Sequence, residues 1–401
     1  MRDKAGLNAV LSCELSYRAD YSAQDGGLNE APQRRQTITW RMFSHSKDSL
    51  RMKKLESILI DSPAKDLVES PPETTALAPA TRGEKGSSDR LLQLVGVGAE
   101  IREREPSESE KAFLGLPLVQ VNLPHSNPGK QPIWKRRNGD LTLSIRPGWD
   151  HARDRPLGYP YGTKPRLVLY WITREALRTD SRRLYLGDSL HGFMKNLGLN
   201  PDNGTGKRSD SRYLQGQLQR LFRSTISFDW ADTGRQNWLD MQIAPKGEMW
   251  WDDRAPNQAG IFESWIELSE SFFSAITYQP VPLDMRALRA LKRSSFQLDL
   301  YALAAYKSFC AYQSGKTSFV TWRQLAGQLG ANFSGKDGLD NFRKKLKKIH
   351  LPKVRAVFPD LDVEEINGGV GPNGKIKRGG LKFKPCRPAV PPLISLVNPN
   401  D

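Results

Sequence analysis

Three glycine-containing stretches have residue types that bind phosphate in other proteins. Gly315-Lys316-Thr317 has the ending of a phosphate loop, in which backbone amides cradle the phosphates and the lysine reaches them. The first glycine of that motif falls at Cys310, and the stretch follows a helical pattern rather than a strand. Gly206-Lys207 fails likewise, with Pro201 for the first glycine and Arg208 for the hydroxyl residue. The run Gly369 to Gly374 spells GxGxxG, but a dinucleotide site needs a helix directly behind it. Here Pro372 interrupts and a lysine-rich, strand-like segment follows, so the run reads as a hairpin tip. The five histidines (His45, His125, His151, His191, His350) include no two at metal-ligand spacing. A nickase with a paired-histidine metal centre is therefore not expected, and no carboxylate cluster suggests a two-metal nuclease. Cys13, Cys310 and Cys386 form no CxxC pair, which argues against a zinc site or a disulfide framework. The expectation is a protein without catalysis, cofactor or metal.

The cations make a stronger pattern. Arg343, Lys344, Lys345, Lys347 and Lys348 alternate with Phe342, Leu346 and Ile349 at helical spacing, so one face packs and the other carries charge. Such a face neutralises phosphates, with a steep dependence on salt. Lys375, Lys377 and Arg378 on the hairpin behind it join the same candidate surface, as do Thr321 and Arg323 at the start of the preceding helix. A second set, Lys207, Arg208, Arg212, Gln215, Gln219, Arg220 and Arg223, decorates an earlier helix. Arginine and glutamine can hydrogen-bond guanine and adenine edges in the major groove, so this face can read bases as well as phosphates. Ten tryptophans include Trp250-Trp251. These can stack on bases, but large aromatics more commonly form core.

The charge is uneven along the 401 residues. Residues 1–110 carry a net −2, residues 111–280 a net +6 and residues 281–401 a net +12, within a total of +16. A basic field of this kind concentrates a polyanion, usually nucleic acid. Apolar residues make up 38%, which predicts a folded core beside a sizeable flexible part. No apolar run approaches the roughly 18 residues of a membrane span. The first residues lack a signal-peptide core, so a cytoplasmic protein is expected.

The elements that position these cations read as follows. Residues 1–110 mix charge with Ser, Pro and Gly and read as a mostly disordered arm, with a short amphipathic helix at 51–60. Asn138-Gly139 predicts a hairpin whose second strand buries Leu141, Leu143 and Ile145. A helix over 166–180, a short strand at 181–186, a helix to Gly198 and another over 210–224 follow. Strands then end the first unit. The same order returns, with helices over 284–312, a strand at 318–321, a helix capped by Thr321, a third helix over 338–350 and a hairpin over 361–383. Helix, strand, helix, helix and ribbon is the order of a winged helix, whose third helix enters the major groove. The fold class expected is mixed α/β (α+β). It comprises two tandem winged-helix domains, at 111–280 and 281–401, joined near Tyr278 to Asp284 where Pro280 and Pro282 stiffen the link.

Several stretches resemble the family of plasmid-encoded RepA replication initiators. They are Leu116-Pro117 with 132–143, Pro165-Arg166-Leu167 with 173–179, 186–190 with Phe193-Met194 and 197–199, and Gln217 with Arg220-Leu221-Phe222. The clearest likeness spans 115–310. The resemblance implies binding to repeated double-stranded sites at a plasmid origin and recruitment of host replication proteins. It leaves open whether the chain forms a homodimer, and it brings no catalytic residue. Three rivals stay open at this point: a pure transcriptional repressor of the same fold, a primase-like enzyme, and an RNA-binding protein.

Overall fold

The computed structural model describes residues 85–201, 209–232, 235–251, 263–330, 337–370 and 376–391. The amphipathic stretch at 51–60 and the rest of residues 1–84 lie outside them. The described residues form a mixed α/β protein with several small sheets.

The first described element is a helix, α1 (Lys85–Glu103), where the composition predicts a disordered arm. Charge mixed with Ser, Pro and Gly makes residues 1–110 read as disordered. Packing overrides that propensity: Leu94 is only 1% exposed, and a Cβ built on Gly98 would overlap the backbone carbonyl of Ala356. Glycine is what lets the two backbones approach here, whereas Gly96 faces open space.

Strand β1 (Lys111–Gly115) and helix α2 (Leu116–Gln120) lead to strands β2 (Trp134–Asn138) and β3 (Leu141–Arg146). Asn138 pairs with Leu141, so the two-residue turn is Gly139-Asp140 rather than Asn138-Gly139. Gly139 has φ +61° at the first central position, as a II′ turn requires. Leu141, Leu143 and Ile145 are fully buried, as their alternation predicts. A small ribbon, β4 (Trp149–Asp150) and β5 (Arg155–Pro156), precedes helix α3 (Thr163–Thr179). Every residue of α3 from Lys164 to Thr173 is buried, so it is a central helix rather than an amphipathic surface one.

Strand β6 (Arg183–Gly187), helix α4 (Leu190–Asn196) and helix α5 (Asp210–Phe222) follow, then β7 (Thr225–Asp232), β8 (Arg235–Gln242), β9 (Lys246–Glu248) and β10 (Ser264–Glu267). Ser189, not Asp188, caps α4. The strands after α5 do not make one ribbon. β7 and β8 extend the first hairpin into a sheet of order β2-β3-β7-β8, while β6, β10 and β9 form a separate sheet in that order.

After helix α6 (Glu270–Thr277), the segment expected as a linker is a buried strand, β11 (Pro280–Asp284), paired antiparallel with β1. Pro280 and Pro282 share one side of this edge strand, where their missing N–H groups break no ladder bond. Helices α7 (Met285–Leu291) and α8 (Ser295–Ser314), strand β12 (Ser318–Thr321), helix α9 (Trp322–Leu329) and helix α10 (Gly338–Lys345) continue the chain. α10 does not stop at His350. A π turn (Leu346–His350) carries it into α11 (Leu351–Val357), and the wider turn accommodates Pro352, which lacks the N–H of a regular helix. Strands β13 (Val363–Ile366), β14 (Gly369–Val370), β15 (Ile376–Lys377) and β16 (Gly380–Phe383) complete the fold, with a sheet of order β12-β16-β13.

Buried polar contacts join the two halves. Arg166 on α3 grips Asp299 on α8 at 2.6 and 2.7 Å, both side chains about 3% exposed. Arg136 on β2 donates to the Gln328 carbonyl at 2.9 Å, and Gln328 Nε2 donates to the Val119 carbonyl at 2.7 Å. Burial pushes Arg136 down to about 10 and raises the Asp299 carboxyl against the pull of both arginines. His125 bridges the same seam, with Nε2 2.9 Å from the Leu329 carbonyl and Nδ1 3.1 Å from Ser295 Oγ. A carbonyl only accepts, so the proton sits on Nε2, and Nδ1 faces Arg166 Nη2 at 3.4 Å. Burial, then Arg166 and Arg136, hold His125 down at about 2.

Two predictions follow from this packing. Gly96→Ala should stabilise by up to about 1 kcal/mol, the ordinary helix preference. Gly98→Ala should instead destabilise by about 1–3 kcal/mol through overpacking, and urea denaturation of both variants reads the opposite signs. The second concerns acid. His125 stays neutral in the fold but protonates below about 6.5 once unfolded, so the unfolded state binds more protons as pH falls. Stability should therefore drop below pH 6.5, approaching about 1.4 kcal/mol per pH unit from this residue down to pH 4. Denaturation curves between pH 7 and 4 should show the slope, and His125→Gln should remove its share.

Candidate nucleic-acid interface

The cationic run sits on α10 and its π turn, and the fold divides it. Phe342 and Leu346 are fully buried and hold the helix to the core. Leu339 and Ile349, which the spacing predicts to face inward, are 40% and 45% exposed. The π turn shifts the register, and the packed face continues through Leu351, Val354 and Val357 instead.

Arg343 and Lys347 turn toward the hairpin. Each lies 5.6 Å from the centre of the buried Trp322 ring. Arg343 also pairs with Asp340 at 3.1 Å, and Lys347 with Glu365 on β13. The backbone N–H of Trp322 donates to the Gly379 carbonyl at 3.0 Å, which fixes the hairpin base beside the same residue. Trp322 and Glu365 carry no signal in the sequence, because they lie on other elements, whereas Asp340 stands three residues before Arg343 on the same helix. Lys344, Lys345 and Lys348 are exposed. His350 stacks on Phe296 with centroids 4.2 Å apart. Burial, then Lys353 and Lys345, push it down to about 4, so it is neutral at pH 7.

The other predicted residues of this half are distributed around the hairpin. Arg323 and Arg378 are exposed. The Thr321 hydroxyl is engaged in a capping box, accepting from Gln324 N at 3.2 Å and donating to Gln324 Oε1 at 2.8 Å. Lys377 lies on β15, and Lys375 falls outside the described residues.

In the first half, α5 begins at the Ser209 cap, which accepts from Arg212 N at 3.3 Å. Arg212 and Arg223 are exposed, and Gln215, Gln219 and Arg220 half-buried. Arg220 lies 5.6 Å from the Tyr161 ring. The Gln217 side chain, 1% exposed, accepts from Tyr161 N at 2.9 Å. Tyr161 meets Tyr213 edge-on at 6.3 Å, and burial followed by Tyr161 raises the Tyr213 hydroxyl to about 12. Lys207 and Arg208 fall outside the described residues. The tryptophan pair splits: Trp251 is buried, stacked on Phe193 at 5.5 Å, while Trp250 is 49% exposed.

Among the described residues, no group of three or more His, Cys, Asp or Glu side chains is arranged to hold a metal ion. No described helix is long and apolar enough to cross a membrane.

Residues 159–324 match the family described as plasmid encoded RepA protein. The match contains the resembling stretches from Pro165 to Phe222 and stops short of those before 144. No curated protein matches the chain. A crystal structure of selenomethionine derivatives of domains 2 and 3 of RctB is similar to 67% of this chain and 96% of its own, at 10% identity and a TM-score of 0.32. A likeness that distant places no residue.

The division of the cations has a measurable consequence. Lys347→Ala removes an ion pair and a cation over a ring, and should lower stability by about 0.5–1.5 kcal/mol. Lys344→Ala and Lys348→Ala should each stay within about 0.5 kcal/mol of the parent. Urea denaturation of the three variants tests the division.

Proposed function

We propose that this chain, whose residues 159–324 match the plasmid-encoded RepA family, is a plasmid replication initiator that binds repeated duplex sites at its origin without catalysis of its own. That match is the observation that carries the replication role. The DNA-binding role draws support from topology. In each half, the strand between the first and second helices pairs antiparallel with a strand that follows the third: β6 with β10, and β12 with β16. A winged helix pairs its strands in this way, which supports reading α5 and α10 as the third helices of two such units.

In this reading Lys344, Lys345 and Lys348 take phosphates, and Arg212, Gln215, Gln219 and Arg223 meet the groove at the other site. Two modules on one chain raise each other's effective concentration, so two weak contacts give tight binding. Bending or untwisting of easily deformed base steps would open the origin with no fuel. Host replication proteins are then recruited in the cytoplasm to the opened site.

Gel-shift titration against the chain's own origin fragment and a scrambled fragment, across a salt series, tests the proposal. Strong preference for the origin is expected. Lys344→Ala with Lys348→Ala should lower the slope of log Kd against log salt by about two, at ~0.9 per phosphate contact. Equal and weak binding to both fragments overturns the initiator reading.

A further inference from the structure

The fold assembles a cluster of cations that no single stretch of sequence announces. Arg90 comes from α1, Lys164 from the first turn of α3, and Arg289, Lys292 and Arg293 from the end of α7 and the turn behind it. Arg289 and Lys292 meet at Gly198, which ends α4 with φ +68°, and Arg90 reaches the Ala290 carbonyl beside Arg289. Lys292 Nζ donates to the Gly198 carbonyl at 2.7 Å, and a Cβ on Gly198 would lie 2.7 Å from Arg289 Nε. Burial, then Lys164, Arg289, Arg293 and Arg90, hold the Lys292 ammonium below its ordinary value. Burial and Arg293 do the same to Arg90.

Helix capping accounts for part of this cluster. Lys292 caps α4 through Gly198, and Arg90 donates to the Ala290 carbonyl of α7. Lys164 pairs with Asp210, the first residue of α5, at 3.1 Å. Capping leaves Arg289 and Arg293, both exposed, with no carboxylate paired to either among the described residues. Like charges gathered from distant parts of the chain repel one another, and an anion bound between them relieves that repulsion. The Lys164–Asp210 pair places the cluster beside the start of α5.

We propose that Arg90, Arg289, Lys292 and Arg293 form a phosphate-binding site that grips the backbone of the duplex next to the segment on α5. The proposal rests on the duplex-binding reading above. It predicts that the footprint extends past α5 onto α7 and α1, tying the two halves to one stretch of DNA.

The test uses the full chain with Arg289→Gln and Arg293→Gln together, and Arg293→Gln alone in case the Arg289 stem supports Gly198. On the origin fragment, the slope of log Kd against log salt should fall by about two for the double variant and about one for the single. In parallel, inorganic phosphate should raise the melting temperature above chloride at equal ionic strength, and the variants should lose that rise. A wild-type slope in a variant that folds overturns the duplex assignment. If the parent chain binds no duplex, the initiator reading fails by itself. The melting experiment then decides the site: a phosphate-specific rise lost in the variants supports a free phosphate or nucleotide as ligand, and no rise overturns the site.

Discussion

The pairing of Arg166 with Asp299 is the contact on which the described fold depends. Two ions about 3% exposed have left water, at a desolvation cost of several kcal/mol each. The cost is offset because every side of the guanidinium is used. Besides Asp299, it donates to the carbonyls of Leu123, Pro124 and Gly162 at 2.7 to 3.1 Å. Those carbonyls belong to the loops that enter α3 and follow α2. One side chain therefore sets the position of the central helix, the path into it and the docking of α8. His125 reads the same electrostatics from the side: next to Arg166, it holds its proton on the far nitrogen and ties in Leu329 and Ser295. The two halves are thus joined by a buried polar seam rather than by a flexible link. Any DNA contact made by α5 has a defined geometry relative to one made by α10.

Much of this arrangement could be read from the amino-acid order. The hairpin near Gly139, the helix ending at Gly198, the Thr321 cap and the repeated helix-strand-helix-helix order all follow from local rules, such as alternation, capping and positive-φ glycine. What stayed hidden was nonlocal. α1 read as part of a disordered arm because the packing that orders it, Gly98 against Ala356, lies far along the chain. β11 looked like a proline-stiffened linker because its partner, β1, lies before the first unit. The strands after α5 read as one ribbon, although pairing divides them between two sheets. The cationic helix was legible as a run, but its division was not. Trp322 and Glu365 decide which cations are structural, and neither sits next to the run.

That division changes how the basic surface is understood. Arg343 and Lys347 are braced between a ring and carboxylates, and they hold the ribbon at a fixed angle to the helix. Lys344 and Lys348 stand on the braced platform and are open to a ligand. A protein that binds a stiff polyanion gains from this arrangement, because fewer side chains must be ordered on contact. The capping box at Thr321 serves the same end by fixing the helix that carries Trp322.

The contact of Gly98 with Ala356 has a consequence for synthesis of the chain. α1 emerges from the ribosome among the first described segments, yet its partner α11 is made near the end. Its other packing partner, α7, is also made late, so until then its apolar side has nowhere to pack. Contacts this distant in sequence form late and make folding slow, so the first half of the protein must assemble around β1 while α1 waits. The nascent chain carries an exposed apolar helix through most of its production, a window in which a chaperone has something to hold.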